Sequence, residues 1–493
     1  MTRTKREWLA AFLFSAAVLL LMAQASPLHA GNNWLDTNCF VTVARGMIAG
    51  KIPYRDLIEQ KGPLLYLLHV PAMLISPRGY FGIYLLEVAE YACFVVAVMR
   101  IARLLGGNRA VLPAILLTMI PVASTVFAAG DSSAEEMVQP LLAWSVYDAL
   151  RYLQSDAKKM SARTLLRNGF LAGCVLWIKF SLLGVHFVWM AWIAVDCVIR
   201  EKKLLPAVKM CLWFLGGMAV SALPWLVYFG ANGALKDLLE VYFVWNITMY
   251  PQGSPVSNLK SAIRGMALKN PVMSALCLIA GGFALLMFIR KRSRAYGCLT
   301  AMIVCSTLTA FVFGRSFTYN GYALALYVPL AAVPMTKLLE KIAGNRQTMA
   351  RALSGILCAA ICLCGLAIGR GRLATIGETN ENWTSTVFAR EIRRTENPTL
   401  LNFGFLDGGF YFAADLLPTE KWFCGLNVNP WAGRDAQFAA VEEGRIDYVV
   451  TKKQTLAEYG VDDSKYEEIA RRSDGADQPF YYLYRKTDLC PEN

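Results

Sequence analysis

Charge is what this sequence has least of. Asp, Glu, Lys and Arg make up 17% of its 493 residues while 56% are hydrophobic, against about a quarter charged in ordinary globular chains. A water-soluble globular enzyme is excluded on that ground. Histidine is nearly absent, and His29, His69 and His186 have no metal-ligand spacing, so none is given a role. The chain has no phosphate loop and no Gly-x-Gly-x-x-Gly turn, which removes the common nucleotide-binding devices. Its net charge of +13 is not gathered into a basic stretch interleaved with aromatics, so nucleic acid is not an expected partner. No internal repeat is evident, which weighs against a transporter built from inverted halves.

What the chain has is a succession of apolar runs near the length that spans about 30 Å of hydrocarbon. About eleven spans are expected: 8–25, 79–99, 110–129, 134–153, 165–179, 181–199, 208–230, 271–289, 296–313, 319–336 and 352–369. The pair 165–179 and 181–199 is read as two spans, with one broken hairpin as the alternative. The first run follows Arg3, Lys5 and Arg6 like a signal peptide, but is read as an uncleaved helix. Breaks on one side hold roughly twice as many Lys and Arg residues as those on the other, which places the N-terminus inside and the C-terminus outside. Most of the 13 cysteines fall within spans and act as small apolar residues. Cys39, Cys424 and Cys490 do not, and Cys424 with Cys490 could pair in an oxidising compartment.

The fold class expected is therefore an all-α polytopic membrane protein with a small outward-facing C-terminal α/β domain. Residues 1–369 form the membrane body, and 370–493 has ordinary globular composition. In the latter, 399–405, 446–451 and 480–485 read as strands, while 436–443 and 464–472 read as helical. Asp407-Gly408-Gly409 reads as a turn.

Two outer loops, 26–78 and 231–270, are long, whereas the inner breaks are short. The first is dense in chemistry. Asp36 lies about ten residues past the first span, at the water–lipid boundary, where a carboxylate can take the proton of an attacking hydroxyl. Gly50-Lys51-Ile52-Pro53-Tyr54-Arg55-Asp56 and Lys61-Gly62-Pro63 are stiff turns that present Arg55 and Lys61 near the headgroups. A fork donor and a compact ammonium there suit an anionic lipid phosphate, although both also suit plain interfacial snorkelling. A second acidic group, Asp131, Glu135 and Glu136, occupies a short outer break. It reads either as a helix N-terminus or as functional acids aimed into a cavity. Glu87, Glu90 and Lys179 sit in apolar surroundings, and intramembrane charges usually face a cavity or one another. Arg315, Tyr319 and Tyr322 form a further polar opening on the outer side.

At these residues the chain resembles the integral-membrane glycosyltransferases of the C superfamily (GT-C), the polyprenyl-phosphate-sugar type that includes protein mannosyltransferases and aminoarabinose transferases. The likeness rests on Asp36 after the first span, on Gly50 to Asp56, on Lys61-Gly62-Pro63, on Glu135 or Glu136 in the second acidic loop, and on Tyr319 to Tyr322. The resemblance implies an inverting transfer of a hexosyl or pentosyl group from a polyprenyl-phosphate donor to a glycan, lipid or protein acceptor. Asp36 would be the base, with Glu135 and Asp131 as further catalytic acids. Lys61, Arg55 and Lys179 would hold the donor phosphate, and Asp56, Arg315, Tyr319 and Tyr322 would line the cavity. It also implies a bacterial plasma membrane with the site extracytoplasmic. Thr37 stands where many relatives have a second acid, so no cofactor is called for and a divalent metal is left open. A polyprenyl-lipid flippase or transporter is the second reading, kept alive by Glu87 and Glu90.

Overall fold

The computed structural model describes residues 2–127, 130–250, 253–312, 317–473 and 478–489. It divides into two compact units, each drawn from three separate stretches of chain. One comprises Met1–Ala23, Tyr84–Trp225 and Gln252–Thr375; the other comprises Gln24–Ile83, Leu226–Pro251 and Ile376–Asn493.

The first unit is helical. Among the described residues, seven helices are long and apolar enough to cross a membrane: Phe81–Gly106, Ala162–Leu182, Leu204–Ala231, Pro271–Lys291, Arg294–Phe311, Thr318–Ala343 and Gln347–Ile368. The expected spans 8–25 and 181–199 correspond to the helices Arg3–Met22 and Gly184–Glu201, which carry more charge near their ends. The spans expected at 110–129 and 134–153 are broken into Val111–Leu117 with Met119–Ala123, and Ala134–Met137 with Gln139–Leu153. Proline accounts for the first break: Pro121 has no N–H to offer the carbonyl of Leu117, where the first piece ends. The expected span 319–336 opens instead as a 3₁₀ helix, Thr318–Ala331, and turns α-helical only over Ala332–Ala343.

Close packing in this unit is of the membrane kind. A Cβ built on Gly169 would lie 1.9 Å from the carbonyl oxygen of Phe214, and one on Gly217 would lie 2.1 Å from that of Leu166. Gly173 meets Ser221 in the same way, 1.7 Å from a built Cβ to Oγ. Small residues four apart on both helices thus let two backbones touch where lipid offers no hydrophobic drive for association.

The second unit holds a four-stranded sheet: β1 Leu400–Phe403, β2 Tyr448–Lys452, β3 Tyr466–Arg472 and β4 Tyr481–Lys486, in the order β1-β2-β4-β3. β1 and β2 are parallel, joined through the helix Pro430–Glu442, and the other pairs are antiparallel. Leu401, Phe403, Val441, Val449 and Tyr484 belong to its core. Three strands fall where the alternation places them. The fourth corrects the reading of 464–472 as helical: it is an edge strand with a register shift between Glu468 and Ala470. That bulge breaks the period of two which would have marked it. In the same unit the first long loop is itself helical, with helices Leu35–Ile48 and Pro63–Ile75, and the segment Leu238–Trp245 is π-helical.

Candidate functional site

Asp36 and Lys61 come together in the second unit. Asp36 occupies the first turn of the helix Leu35–Ile48, where a carboxylate is favoured by the exposed amides of the helix end. Its Oδ2 lies 3.7 Å from Lys61 Nζ, and the two side chains keep 20% and 11% of their surface. That residual exposure leaves the pair open to a third group. The ammonium also stands 5.6 Å from the centre of the Phe40 ring.

The loop holding Lys61 is fixed on every side. Tyr54 Oη and Tyr66 Oη donate to the Lys61 carbonyl at 2.6 and 2.8 Å, and the Lys61 amide donates to Glu59 Oε2 at 2.7 Å. Tyr66 Oη also bonds Glu59. Asn246 Nδ2 donates to the Gln60 carbonyl at 2.8 Å. Tyr54 is fully buried among Tyr66, Phe229 and Tyr242, with φ of 67°. A non-glycine residue in the left-handed region costs about 1–3 kcal/mol and persists only where its surroundings demand it. Here the demand is visible: its hydroxyl must reach Lys61. The Gly-x-x-Pro-Tyr-x-Asp turn is therefore scaffolding for the lysine. Gly50 supplies a φ of 84°, and Asp56 Oδ2 accepts the Ile52 amide at 2.7 Å.

Arg55 and Asp56 are occupied with each other. Arg55 Nε and Nη2 both donate to the Asp56 carboxylate at 2.8 Å, and Nη1 donates to the Asn232 carbonyl at 2.9 Å. The guanidinium holds the Asp56 carboxyl below the usual carboxylate range. As placed, Arg55 faces its neighbour Asp56 while Lys61 faces Asp36.

The remaining candidates lie in the first unit. Lys179, the last residue of the helix Ala162–Lys179, bonds Glu135 and lies 3.5 Å from Asn320 Oδ1. Asp131 Oδ2 is 3.4 Å from Arg372 Nη2. Arg372 in turn donates to the carbonyls of Met22 and Phe127, each at 3.0 Å. Glu136 Oε1 accepts the Gly130 amide at 2.7 Å, and Ser133 Oγ caps the short helix Ala134–Met137. Gln139 Nε2 links the carbonyls of Glu135 and Tyr322. Tyr322 is buried edge-on against Phe127, and Tyr319 stacks on Phe317. Arg315 lies outside the described residues. Glu87 is fully buried, and neither of its carboxylate oxygens meets a hydrogen-bond donor among the described residues.

Some residues escape sequence reasoning. Arg372 stands just past the last apolar run, at the start of what reads as a globular tail, yet it is buried and serves the acidic break. Asp407 reads as a turn, but it is a buried junction. It accepts from Thr42 Oγ1 at 2.6 Å, Asn402 Nδ2 at 2.9 Å and its own turn's Gly409 amide at 2.8 Å. Burial raises its carboxyl above the ordinary value in spite of those bonds. Cys424 lies 3.9 Å, sulfur to sulfur, from Cys39, while Cys490 falls outside the described residues. No local signal marks any of the three, since each depends on a contact far along the chain.

Among the described residues, no group of three or more His, Cys, Asp or Glu side chains is arranged to hold a metal ion.

No family profile and no curated protein matches the chain. Solved structures do. ArnT from Cupriavidus metallidurans bound to undecaprenyl phosphate superposes with a TM-score of 0.61 at 13% identity, over 98% of each chain. The same protein in its apo state gives 0.62 at 14% identity, over 97% of this chain and 98% of that one. The Archaeoglobus fulgidus oligosaccharyltransferase, in complex with Zn and sulfate, gives 0.55 at 12% identity over 97% of this chain and 72% of its own. A polytopic helical body with a small C-terminal sheet, matching these proteins along almost its whole length, shares their fold.

Proposed function

We propose that the chain transfers a sugar from a polyprenyl-phosphate donor to an acceptor hydroxyl on the outer face of a bacterial plasma membrane, with inversion. Residues 1–369 are the transferase body and 370–493 its extracytoplasmic domain. The observation that supports this most is the half-open Asp36–Lys61 pair on a locked loop, in a fold whose solved examples include one bound to undecaprenyl phosphate. Asp36 takes the proton of the acceptor hydroxyl. The hydroxyl oxygen bonds the anomeric carbon as the bond from that carbon to the phosphate oxygen breaks, its electron pair leaving on the phosphate. Lys61 meets the growing charge.

The geometry adds a condition. In an in-line displacement the attacking and leaving oxygens lie on opposite sides of the anomeric carbon. Asp36 and Lys61, 3.7 Å apart, serve the two sides of it, and the flexible four-carbon stem lets Lys61 turn from Asp36 to the donor phosphate. Free enzyme keeps the two charges paired, and donor binding parts them.

The experiment is a cell-free assay with a labelled polyprenyl-phosphate sugar. Intact protein should transfer label to an acceptor fraction, whereas Asp36→Asn should bind the donor and transfer it about 10²–10⁴-fold more slowly. Activity of Asp36→Asn near that of the parent would defeat the assignment. Labelling from outside intact cells, at cysteines introduced in 400–440, tests the orientation independently.

A further inference from the structure

Within the second unit a cavity of about 390 Å³ is lined by neither Asp36 nor Lys61. Its walls are aromatic: Tyr80 and Phe412, ring centres 4.8 Å apart, with Trp383. Gly31 keeps the gap open, because a Cβ there would stand 3.1 Å from the Tyr80 ring and 3.7 Å from Trp383. The rim is cationic. Asp415 is shared between Arg45, at 2.5 Å, and Arg78, at 3.0 Å. Arg393 spends its hydrogen bonds on the carbonyls of Ala413 and Ala414, which carry no charge. Of the charged side chains lining the cavity, Arg78 and Arg393 thus outnumber Asp415, and the Arg78 side chain remains 84% exposed.

We infer that this cavity binds an anionic sugar, a phosphorylated or carboxylated unit of the acceptor glycan. The argument rests on the transfer reading above and names its acceptor class. Aromatic faces pack against the C–H faces of a pyranose, while the exposed Arg78 guanidinium, with Arg393 beside the same cavity, can take an oxyanion in a fork. The volume suits one or two sugar rings. Placement connects it to the chemistry: Asn32 and Asn33 line the cavity, and Asp36 follows them at the start of the Leu35–Ile48 helix. A fully extended link of three residues spans about 10 Å at most. A glycan seated here brings its next hydroxyl within reach of the base.

The test uses the purified full-length chain in detergent and saturation-transfer NMR with mannose 6-phosphate, methyl mannoside and inorganic phosphate. The sugar phosphate should bind at least about tenfold more tightly than either of the other two, since each lacks one half of the recognition. Arg78→Gln and Trp383→Ala should each weaken it about tenfold, with an unchanged melting temperature for Arg78→Gln showing that the fold is intact. Asp36→Asn should bind it as the parent does. Equal binding of inorganic phosphate, or indifference to both variants, overturns the inference. A protein that transfers sugar but does not hold the sugar phosphate loses the cavity and keeps the function; one that holds it without any transfer loses the function and keeps the cavity.

Discussion

The two compact units each carry an acid–base pair of similar composition, set in opposite surroundings. Asp36 and Lys61 lie 3.7 Å apart and keep 20% and 11% of their side-chain surface. Asp131 and Arg372 lie 3.4 Å apart and keep 2% and 4%. The first pair is held by its backbone: three hydrogen bonds fix the Lys61 peptide. The second is held by its side chains, with Arg372 spread over Asp131 and two carbonyls. A pair that has to open for a substrate must be weak and reachable. A pair that defines a junction must be neither. On the proposed function, chemistry falls to the first pair and architecture to the second, although both read alike as acids next to a break.

The largest expected effect is on turnover. Asp36→Asn should lower the transfer rate by about 10²–10⁴-fold, the usual worth of a positioned base, without moving the melting temperature. Asp131→Asn should do the reverse. Removing one charge of a buried pair strands the other, at about 3–5 kcal/mol, so thermal unfolding or expression in membranes should fall sharply. If Asp131→Asn proves stable but inactive, the division between the pairs fails.

Lys61→Ala comes next, with a loss of about ten- to a hundredfold in kcat/KM that includes the chemical step, because phosphate charge grows as the sugar departs. Lys61→Arg should recover only part of it. Tyr54→Phe removes one of the two hydroxyls on the Lys61 carbonyl, and should cost about 1 kcal/mol, read as raised KM with stability little changed.

The smallest effects concern pH and have opposite signs. The Asp56 carboxyl is held low by Arg55. Its contribution to stability is therefore present above the unfolded value, about 3.9, and lost as pH falls through the folded one. Because both partners are substantially exposed, Asp56→Asn should cost less than about 1 kcal/mol near neutrality. Asp407 is raised by burial. Its contribution is full below the unfolded value and declines as pH rises through the folded one, so Asp407→Asn should flatten the loss of stability on moving from about pH 4 upward. Urea titrations at several pH values distinguish the two.

Much of this was legible in residue order because membranes impose it: apolar runs and the strands β1, β2 and β4 report their own period. Asp36 and Lys61 were legible because charge is rare and turn chemistry is local. β3 was not, since its bulge shifts the alternation at Glu468. Asp407 and Arg372 were not, since their meaning lies in partners hundreds of residues away. Nor does the turn Gly50–Asp56 announce that it serves the carbonyl of Lys61; without the buried Tyr54 hydroxyl it is merely stiff.

The bond from Thr42 to Asp407 joins residues separated by 365 positions. At a synthesis rate of about 5–20 residues per second, the helix Leu35–Ile48 waits on the order of 20–70 s for that partner to be made. Throughout that interval the ribosome has finished the segment bearing Asp36, while Asp407, on which its Thr42 rests, does not yet exist. A chain stopped before β1 would hold every residue of the Asp36–Lys61 pair and still lack the ground on which the pair stands. A premature stop in the last quarter should therefore yield material that is inserted and then cleared by quality control, read as loss of the protein from membranes.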